Sequence, residues 1–218
     1  MSRSSFHDQL SDLQQDILKM GTLVQEAIHK AVRSLAQKDP GLAEEVIEDD
    51  DRVDEMELDI EKRCLQLLAL QQPMATDLRA IGTALKIITD LERMADHAVD
   101  VARVTVRLGG EPLIKPLVDI PRMAELAQTM VHEALHAYVD RDHQRALQMI
   151  EHDDEVDHLY GQIFRELLTY MMEDPKTIKQ ATHLLFVASH LERVADHATN
   201  LGEWIIYMVT GERKEMNK

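Results

Sequence analysis

The sequence contains one stretch twice: Leu91-Glu92-Arg93-Met94-Ala95-Asp96-His97-Ala98 returns as Leu191-Glu192-Arg193-Val194-Ala195-Asp196-His197-Ala198, with a single substitution. On a helix, residues four apart lie on the same face, so each copy places a Glu one turn away from an Asp. Like charges at this spacing destabilise a helix by roughly 0.2–0.5 kcal/mol. A chain that repeats the arrangement is therefore expected to hold a cation between its acids.

The composition of the 218 residues is typical of a helical protein. There are only eight Gly and six Pro, and aromatic residues make up 4% of the chain. Apolar residues recur at steps of three and four along six segments, which are separated by breaks such as Asp39-Pro40, Gln71-Gln72-Pro73 and Gly109-Gly110. We predict an all-α fold of two tandem three-helix bundles, with six helices and an internal pseudo-twofold repeat, divided into residues 1–112 and 113–218.

The charge balance excludes several classes of partner. With 40 acids and 24 bases the net charge is -16, which repels nucleic acids and anionic lipid surfaces. Cys64 is the only cysteine, the N-terminal residues lack an apolar signal core, and no apolar run approaches the roughly 18 residues of a membrane span. We expect a cytoplasmic protein that neither binds nucleic acid nor inserts into the membrane, and that reaches the membrane only through partners.

The second helix of each repeat carries a further acid pair at the same spacing, and one member of every pair occupies an apolar position of its helix. In an antiparallel hairpin the pairs of the second and third helices fall toward the same end, so four carboxylates of one repeat converge. A buried carboxylate costs several kcal/mol unless it is neutralised, hydrogen-bonded or bound to metal. The predicted metal ligands, in which Asp100 and Asn200 extend each row by a turn, are Asp50, Asp54, Glu92, Asp96 and Asp100 in the first repeat and Asp153, Asp157, Glu192, Asp196 and Asn200 in the second.

The residues leave alternatives to a carboxylate metal cluster. Oxygen ligands suit Mg²⁺, Mn²⁺ and iron, but the same acids can pair with neighbouring arginines as a purely structural surface. Arg93 with His97, and Arg193 with His197, can orient or neutralise the carboxylates without binding the ion, or can be simple surface partners. A metalloenzyme or an iron-binding helical bundle is also open, because Glu26-x-x-His29 and Glu133-x-x-His136 have the spacing of four-helix di-iron sites. Against that alternative, none of these four residues occupies a core position, and we expect them to be solvated.

With two three-helix repeats and an acid pair on two helices of each, the chain closely resembles the PhoU family of bacterial phosphate-regulation proteins. The resemblance covers nearly the whole chain, from Asp50-Asp51-Arg52-Val53-Asp54 to Ile206-Tyr207-Met208-Val209-Thr210-Gly211-Glu212. The family's acidic motif, Glu or Asp followed four residues later by Asp, occurs four times. One departure from the family pattern is Asp100, which stands where an Asn is expected after the first motif.

The resemblance implies multinuclear metal clusters on the bundle surface, with iron as the first expectation and Mn, Mg, Zn or Ni as alternatives. It also implies a cytoplasmic homodimer that represses the phosphate-starvation response. Such a protein is an adaptor between the ATPase of the phosphate ABC transporter and a sensor histidine kinase, and it is not an enzyme. A metal-dependent adaptor predicts retained metal and no turnover, whereas a purely structural bundle predicts no metal and tolerance of neutral residues at Glu92 and Asp96.

Overall fold

The structure, a computed structural model, describes residues 3–71, 73–213 and 216, without the side chains of residues 3–5 and 71. All regular structure within these residues is helical, as the composition predicts. Gln72, in the predicted break after the second helix, lies outside the described residues. The helices are α1 (Arg3–Gln37), α2 (Pro40–Asp49), α3 (Asp51–Gln71), α4 (Ala75–Leu108), α5 (Asp119–Asp140), α6 (His143–Ile150), α7 (Asp153–Glu173) and α8 (Ile178–Thr210), with a 3₁₀ turn at Pro175–Thr177.

Three predicted helix boundaries, at Asp39-Pro40, Gly109 and Gly211, are confirmed and have a local cause, whereas the predicted proline start of the last helix is a 3₁₀ turn and α8 begins at Ile178. The carboxylate of Asp39 accepts a hydrogen bond from the backbone N–H of Leu42 at 3.1 Å and caps α2, whose first residue is Pro40. Gly109 and Gly211 end α4 and α8 in the left-handed conformation, which glycine adopts without steric cost. Local sequence signals therefore set the start of α2 and the ends of α4 and α8.

The two long helices α4 and α8 form the central pair of the molecule. Helix α1 packs on α4, α5 packs on α8, and α1 and α5 also contact each other. The remaining segments lie outside this layer, with α2 and α3 on α1 and α4, and α6 and α7 on α5 and α8. The buried apolar side chains of both halves join in one continuous core. The prediction of an all-α fold with six helices in two pseudo-equivalent halves is confirmed, whereas the division into two domains stays a prediction.

The second helix of each half is interrupted, which the periodicity did not reveal. Asp50 stands between α2 and α3, and Glu151 with His152 stands between α6 and α7. At the first interruption the N–H of Val53 donates to the carbonyl of Asp50 at 2.8 Å, three residues back, so the helix tightens there. The acidic motifs consequently begin at the amino ends of α3 and α7, where the helix dipole stabilises negative charge by about 0.3–1 kcal/mol.

The segment between the halves is held against the second half. Gln180 on α8 donates from its side-chain amide to the carbonyl of Pro112 at 3.0 Å and accepts from the N–H of Ile114. Lys115 pairs with Glu166 of α7. None of the helices that the structure describes has an apolar stretch suited to crossing a lipid bilayer.

Candidate metal centres

Four acids of the first half lie together where the amino end of α3 meets α4. The charges of Asp54 and Asp96 act on Asp50, and those of Asp96 and Asp54 act on Glu92, so both helices contribute to one group. Asp54 is exposed, and the other three are partly buried. We call this group the first cluster; its members are Asp50, Asp54, Glu92 and Asp96.

The environment of the first cluster disfavours its negative charge. Burial raises the pKa of Asp50 from 3.8 to about 6, and repulsion from Asp54 and Asp96 adds to the effect. The pKa of Glu92 is also raised, first by burial and then by the charge of Asp96. A cation between these groups would replace lost hydration and remove the repulsion.

Glu57 is a further acid of this surface that the predicted ligand set omitted. Burial raises its pKa, and its carboxylate acts on Glu92 from across the helix pair. The hydroxyl of Thr89 on α4 donates to Glu57 Oε1 at 3.4 Å. The signal was present in the sequence, because Glu57 continues the row of Asp50 and Asp54 at helical spacing and occupies an apolar position of that stripe.

The second half repeats the arrangement where the amino end of α7 meets α8. Burial raises the pKa of Asp153 from 3.8 to about 6, followed by the charges of Asp196 and Asp157. The pKa of Glu192 is raised by burial and then by Asp196 and Asp157, and that of Asp196 by burial and then by Asp157. We call this group the second cluster; its members are Asp153, Asp157, Glu192 and Asp196.

Thr199 gives the second cluster a feature that the first lacks. Its side chain is fully buried, and its hydroxyl lies against Asp153 closely enough to lower the pKa of that carboxyl. This oxygen has no hydrogen bond of ordinary geometry within the described residues. A buried hydroxyl left in that state costs about 1–3 kcal/mol. An ion or its bound water at the cluster would supply the missing partner.

The donor chemistry of both clusters suits divalent cations, but their carboxylates stand farther apart than the ligands of one ion. Among the described residues, the group whose candidate ligand atoms all lie within 4.8 Å of one another is His97, Asp100 and His190. Every donor is a carboxylate oxygen, which suits hard and borderline ions, and carboxylates can bridge two ions. One acid of each cluster, Asp54 or Asp157, is exposed, so each group opens to solvent on the outer side. The residues that would hold metal are therefore the four carboxylates of each cluster, with Glu57 beside the first.

The repeated arginines have different surroundings. Arg93 Nη1 lies 3.1 Å from Asp96 Oδ2, and Arg93 Nε lies 3.4 Å from Glu92 Oε2, so this side chain partly neutralises the first cluster. No carboxylate of the described residues lies within 4.0 Å of Arg193. Its charge still lowers the pKa of Glu192 and Asp196, but from a longer distance. The neutralising role considered for these residues thus has direct contacts in one half only.

Four predicted residues turn toward the contact between α4 and α8. His97 Nδ1 lies 3.3 Å from His190 Nδ1, and the rings of His97 and His197 are 5.6 Å apart. Asp100 is 3.8 Å from His190 and accepts a hydrogen bond from Arg103. Asn200 donates to Asp90 Oδ1 at 3.3 Å. His190 and Asp90 were missed by sequence reasoning, since neither belongs to a repeated motif.

The Glu-x-x-His spacings do not form a site inside the bundle. Glu26, His29 and His136 are exposed. Glu133 pairs with Arg145, whose Nε lies 2.6 Å from Glu133 Oε2. The expectation that these residues are solvated is confirmed, and the spacing therefore provides no support for a di-iron oxidase or iron store.

Comparison with known proteins gives one consistent result. Residues 17–105 and 120–205 each match the PhoU domain. The chain is 40% identical over 218 residues to the phosphate-specific transport system accessory protein PhoU homolog of Clostridium acetobutylicum, which covers 100% of both chains. The chain is also 48% identical over 204 residues to the protein of the same description from Aquifex aeolicus. The matched region covers 94% of this chain and 92% of the relative.

Solved structures agree with this result. The crystal structure of PhoU from Pseudomonas aeruginosa is similar to the chain with a TM-score of 0.91 at 39% identity, over 95% of this chain and 100% of that one. The structure of the phosphate transport system regulatory protein PhoU from Streptococcus pneumoniae gives a TM-score of 0.90 at 32% identity, over 97% and 100% of the two chains.

Proposed function

The chain belongs to the PhoU family, and we propose that it is a metal-binding accessory protein that regulates a phosphate-specific transport system. In this role it represses the phosphate-starvation response and acts as a cytoplasmic adaptor between the ATPase of the phosphate ABC transporter and a sensor histidine kinase. It works as a homodimer and carries out no catalysis. Two relatives are described as accessory proteins of a phosphate-specific transport system, which supports the accessory role.

The observation that carries the proposal is the matched pair of carboxylate clusters. Burial patterns are identical along residues 91–98 and 191–198, so the two copies present their acids in the same way. Each cluster contains four acids. Burial and the charges of the neighbouring acids raise the pKa of one of them, Asp50 in the first cluster and Asp153 in the second, to about 6. Such groups are costly without a cation. We expect multinuclear clusters of iron or another divalent ion, bound by the first and second clusters.

The placement of the clusters fits an adaptor better than an enzyme. Each cluster lies where an outer helix meets a central one, with one acid exposed to solvent. Two divalent ions at such a place would neutralise the four carboxylates of a cluster, and they would keep coordination positions open on the exposed side. An acidic or phosphorylated surface of a transporter or kinase protein would then bind through the metal, although the chain as a whole is strongly acidic.

Elemental analysis of the untagged protein tests metal binding. The parent is compared with a chain that carries Asp96→Asn and Asp196→Asn, two isosteric changes that remove one charged ligand from each cluster. We expect several transition-metal ions per parent chain and the loss of most of them from a variant that stays helical by circular dichroism. A parent that holds no metal after supplementation with iron, manganese or zinc would refute the metal-dependent part of the proposal.

Partner binding is tested separately. The transporter ATPase and the cytoplasmic part of the sensor kinase are immobilised and exposed to the metal-loaded parent, the parent stripped by a chelator, and the double variant. We expect binding by the loaded parent and loss of at least tenfold in affinity for the other two. Equal binding by all three would show that the clusters do not form the adaptor surface.

A further inference from the structure

The contact between α4 and α8 holds two trios of polar side chains that the pseudo-twofold relates. We call them the open trio and the closed trio. Position 90 corresponds to 190, 97 to 197, and 100 to 200, so each trio takes residues from both helices. The open trio is His97, Asp100 and His190, and the closed trio is Asp90, His197 and Asn200.

We propose that the open trio binds one divalent transition-metal ion of the zinc type, which links the two halves of the chain. This site is separate from the carboxylate clusters and independent of their role in phosphate regulation. His97 and Asp100 come from α4 and His190 from α8. A bound ion would therefore join the central helix pair across the pseudo-twofold contact.

The spacing of the donor atoms fits a single ion. His97 Nδ1 and His190 Nδ1 are 3.3 Å apart, and His190 Nδ1 lies 3.8 Å from Asp100 Oδ2. Candidate ligand atoms of the three residues all lie within 4.8 Å of one another. Two ligands about 2.0–2.1 Å from a tetrahedral zinc ion are roughly 3.3–3.4 Å apart, so the two imidazole nitrogens already have this spacing and the carboxylate has to move closer.

The carboxylate is already oriented for binding. Arg103 Nη1 donates to Asp100 Oδ1 at 2.9 Å, which leaves Oδ2 directed at His190. Metal-binding carboxylates and imidazoles are commonly held by such outer hydrogen bonds. The side chain of Asp100 is 39% exposed and that of His190 is 18% exposed. Water can therefore reach the site and occupy a fourth coordination position.

In the closed trio, the side chains at the equivalent positions form hydrogen bonds with one another. Asp90 Oδ1 accepts from His197 Nδ1 at 2.8 Å and from Asn200 Nδ2 at 3.3 Å, so its one carboxylate has two donors. In the open trio the two imidazole nitrogens face each other at 3.3 Å, where one ring can donate to the other according to its tautomer, and the carboxylate of Asp100 lies farther from His190, at 3.8 Å. When both facing nitrogens are unprotonated, their lone pairs point into one space that a cation can fill.

The donor types decide which metal the open trio prefers. His97 and His190 are partly buried, and they contribute two imidazole nitrogens beside one carboxylate oxygen. Neutral imidazole suits Zn²⁺, Cu²⁺, Fe²⁺ and Ni²⁺ and is a poor ligand for Mg²⁺ and Ca²⁺. The open trio should thus differ from the carboxylate clusters in metal preference.

Zinc titration of the full chain with Asp96→Asn and Asp196→Asn tests the site without the clusters. We expect one Zn²⁺ per chain by calorimetry, unaffected by excess Mg²⁺. Adding His97→Gln should weaken binding at least tenfold, whereas the pseudo-equivalent His197→Gln should leave it unchanged. The exposed pair His132 and His136 on α5 is unchanged in all variants. Zinc bound there would therefore not produce a difference between the His97→Gln and His197→Gln chains.

A second variant and a second readout guard against misfolding. His190→Gln replaces His97→Gln if circular dichroism shows that the latter has lost helix. Co²⁺ added in place of Zn²⁺ should give the visible absorption of a nitrogen-ligated tetrahedral ion, which His190→Gln abolishes. Absence of zinc binding in the cluster-deficient chain, or equal loss in the His97→Gln and His197→Gln chains, would overturn the proposal.

Discussion

The first and second clusters use the same four acidic positions but compensate their charge in different ways. Burial raises the pKa of Asp50 and of Asp153 to about 6 in both. In the first cluster Arg93 contacts two of the acids and Glu57 adds another nearby. In the second, Tyr160 replaces Glu57 by alignment of the motifs, Arg193 is more distant, and the buried hydroxyl of Thr199 lies against Asp153.

The difference shows that a duplicated motif does not produce two equal sites. The first cluster has a built-in counter-charge and an extra carboxylate, so it is partly neutralised without metal and can hold more positive charge when loaded. The second cluster has an orphaned hydroxyl and no direct arginine contact within the described residues. We infer that the second cluster depends more strongly on its bound ions.

The largest expected effect is the loss of metal from one cluster at a time. Asp96→Asn should weaken binding at the first cluster, and Asp196→Asn at the second, by at least about a hundredfold, because each removes a charged ligand rather than a supporting group. Elemental analysis of each single variant should show that the ions of the unchanged cluster remain. Complete loss in either variant would mean that the clusters are not independent.

The second largest expected effect is the pH-dependent contribution of two carboxyls to the stability of the metal-free protein. Because Asp50 and Asp153 have a pKa of about 6 when folded and 3.8 when unfolded, the native state binds more protons between these values. The contribution of these two groups to stability should therefore rise as the pH falls from 7 to 5, by about 1 kcal/mol per group after allowance for solvent screening. His97, whose pKa burial lowers to about 4, contributes in the opposite direction, because the unfolded chain takes up its proton first.

Thermal unfolding at pH 5, 6 and 7 measures this effect in chelated and loaded protein. Metal reverses the sign, since protons compete with ions for the same carboxylates. The matched control is the chain with Asp50→Asn and Asp153→Asn, which keeps the opposing contribution of His97 and loses that of the two carboxyls. The parent should gain stability relative to this control as the pH falls, and the same pH dependence in both chelated chains would show that solvent screens these carboxyls fully.

Exchanging the residues at the equivalent positions Thr199 and Val99 tests whether the Thr199 hydroxyl supports metal binding. Thr199→Val should weaken metal binding at the second cluster by about tenfold, the usual size for loss of a supporting group. It should leave the metal-free protein as stable or slightly more so, since it removes an unsatisfied buried hydroxyl. The counterpart Val99→Thr should strengthen binding at the first cluster. Calorimetric titration in the Asp96→Asn or Asp196→Asn background separates the two sites, and equal affinities with Val or Thr would exclude a role for the hydroxyl.

The smallest expected effect comes from the arginines. Arg93→Gln should destabilise the metal-free protein by about 0.5 kcal/mol, because the side chain is 56% exposed and solvent screens its ion pairs. Arg193→Gln should have no measurable effect, since its carboxylates are farther away. Urea denaturation of both variants gives the comparison. A larger effect of Arg193→Gln would reverse the inferred order of the clusters.

Much of the fold follows from local sequence signals. Asp39 with Pro40, and the glycines at 109 and 211, end or begin helices through the conformations that these residues favour. The acid pairs are likewise local, because four residues nearly complete a helical turn. Such patterns could place the carboxylates of each half near one another, and Glu57 was within reach of the same reasoning.

The sequence by itself determined the six helices, their pseudo-repeat and the rows of acids, since all of these depend on spacing within one helix. Only the tertiary structure decided that the second helices are interrupted at their motifs, and that His97 and Asp100 of α4 meet His190 of α8. The physical reason is that helical periodicity fixes which residues share a face, whereas the rotation and register of two packed helices are set by all side chains at their contact. Contacts between residues of different halves therefore cannot be predicted from the periodicity of either helix.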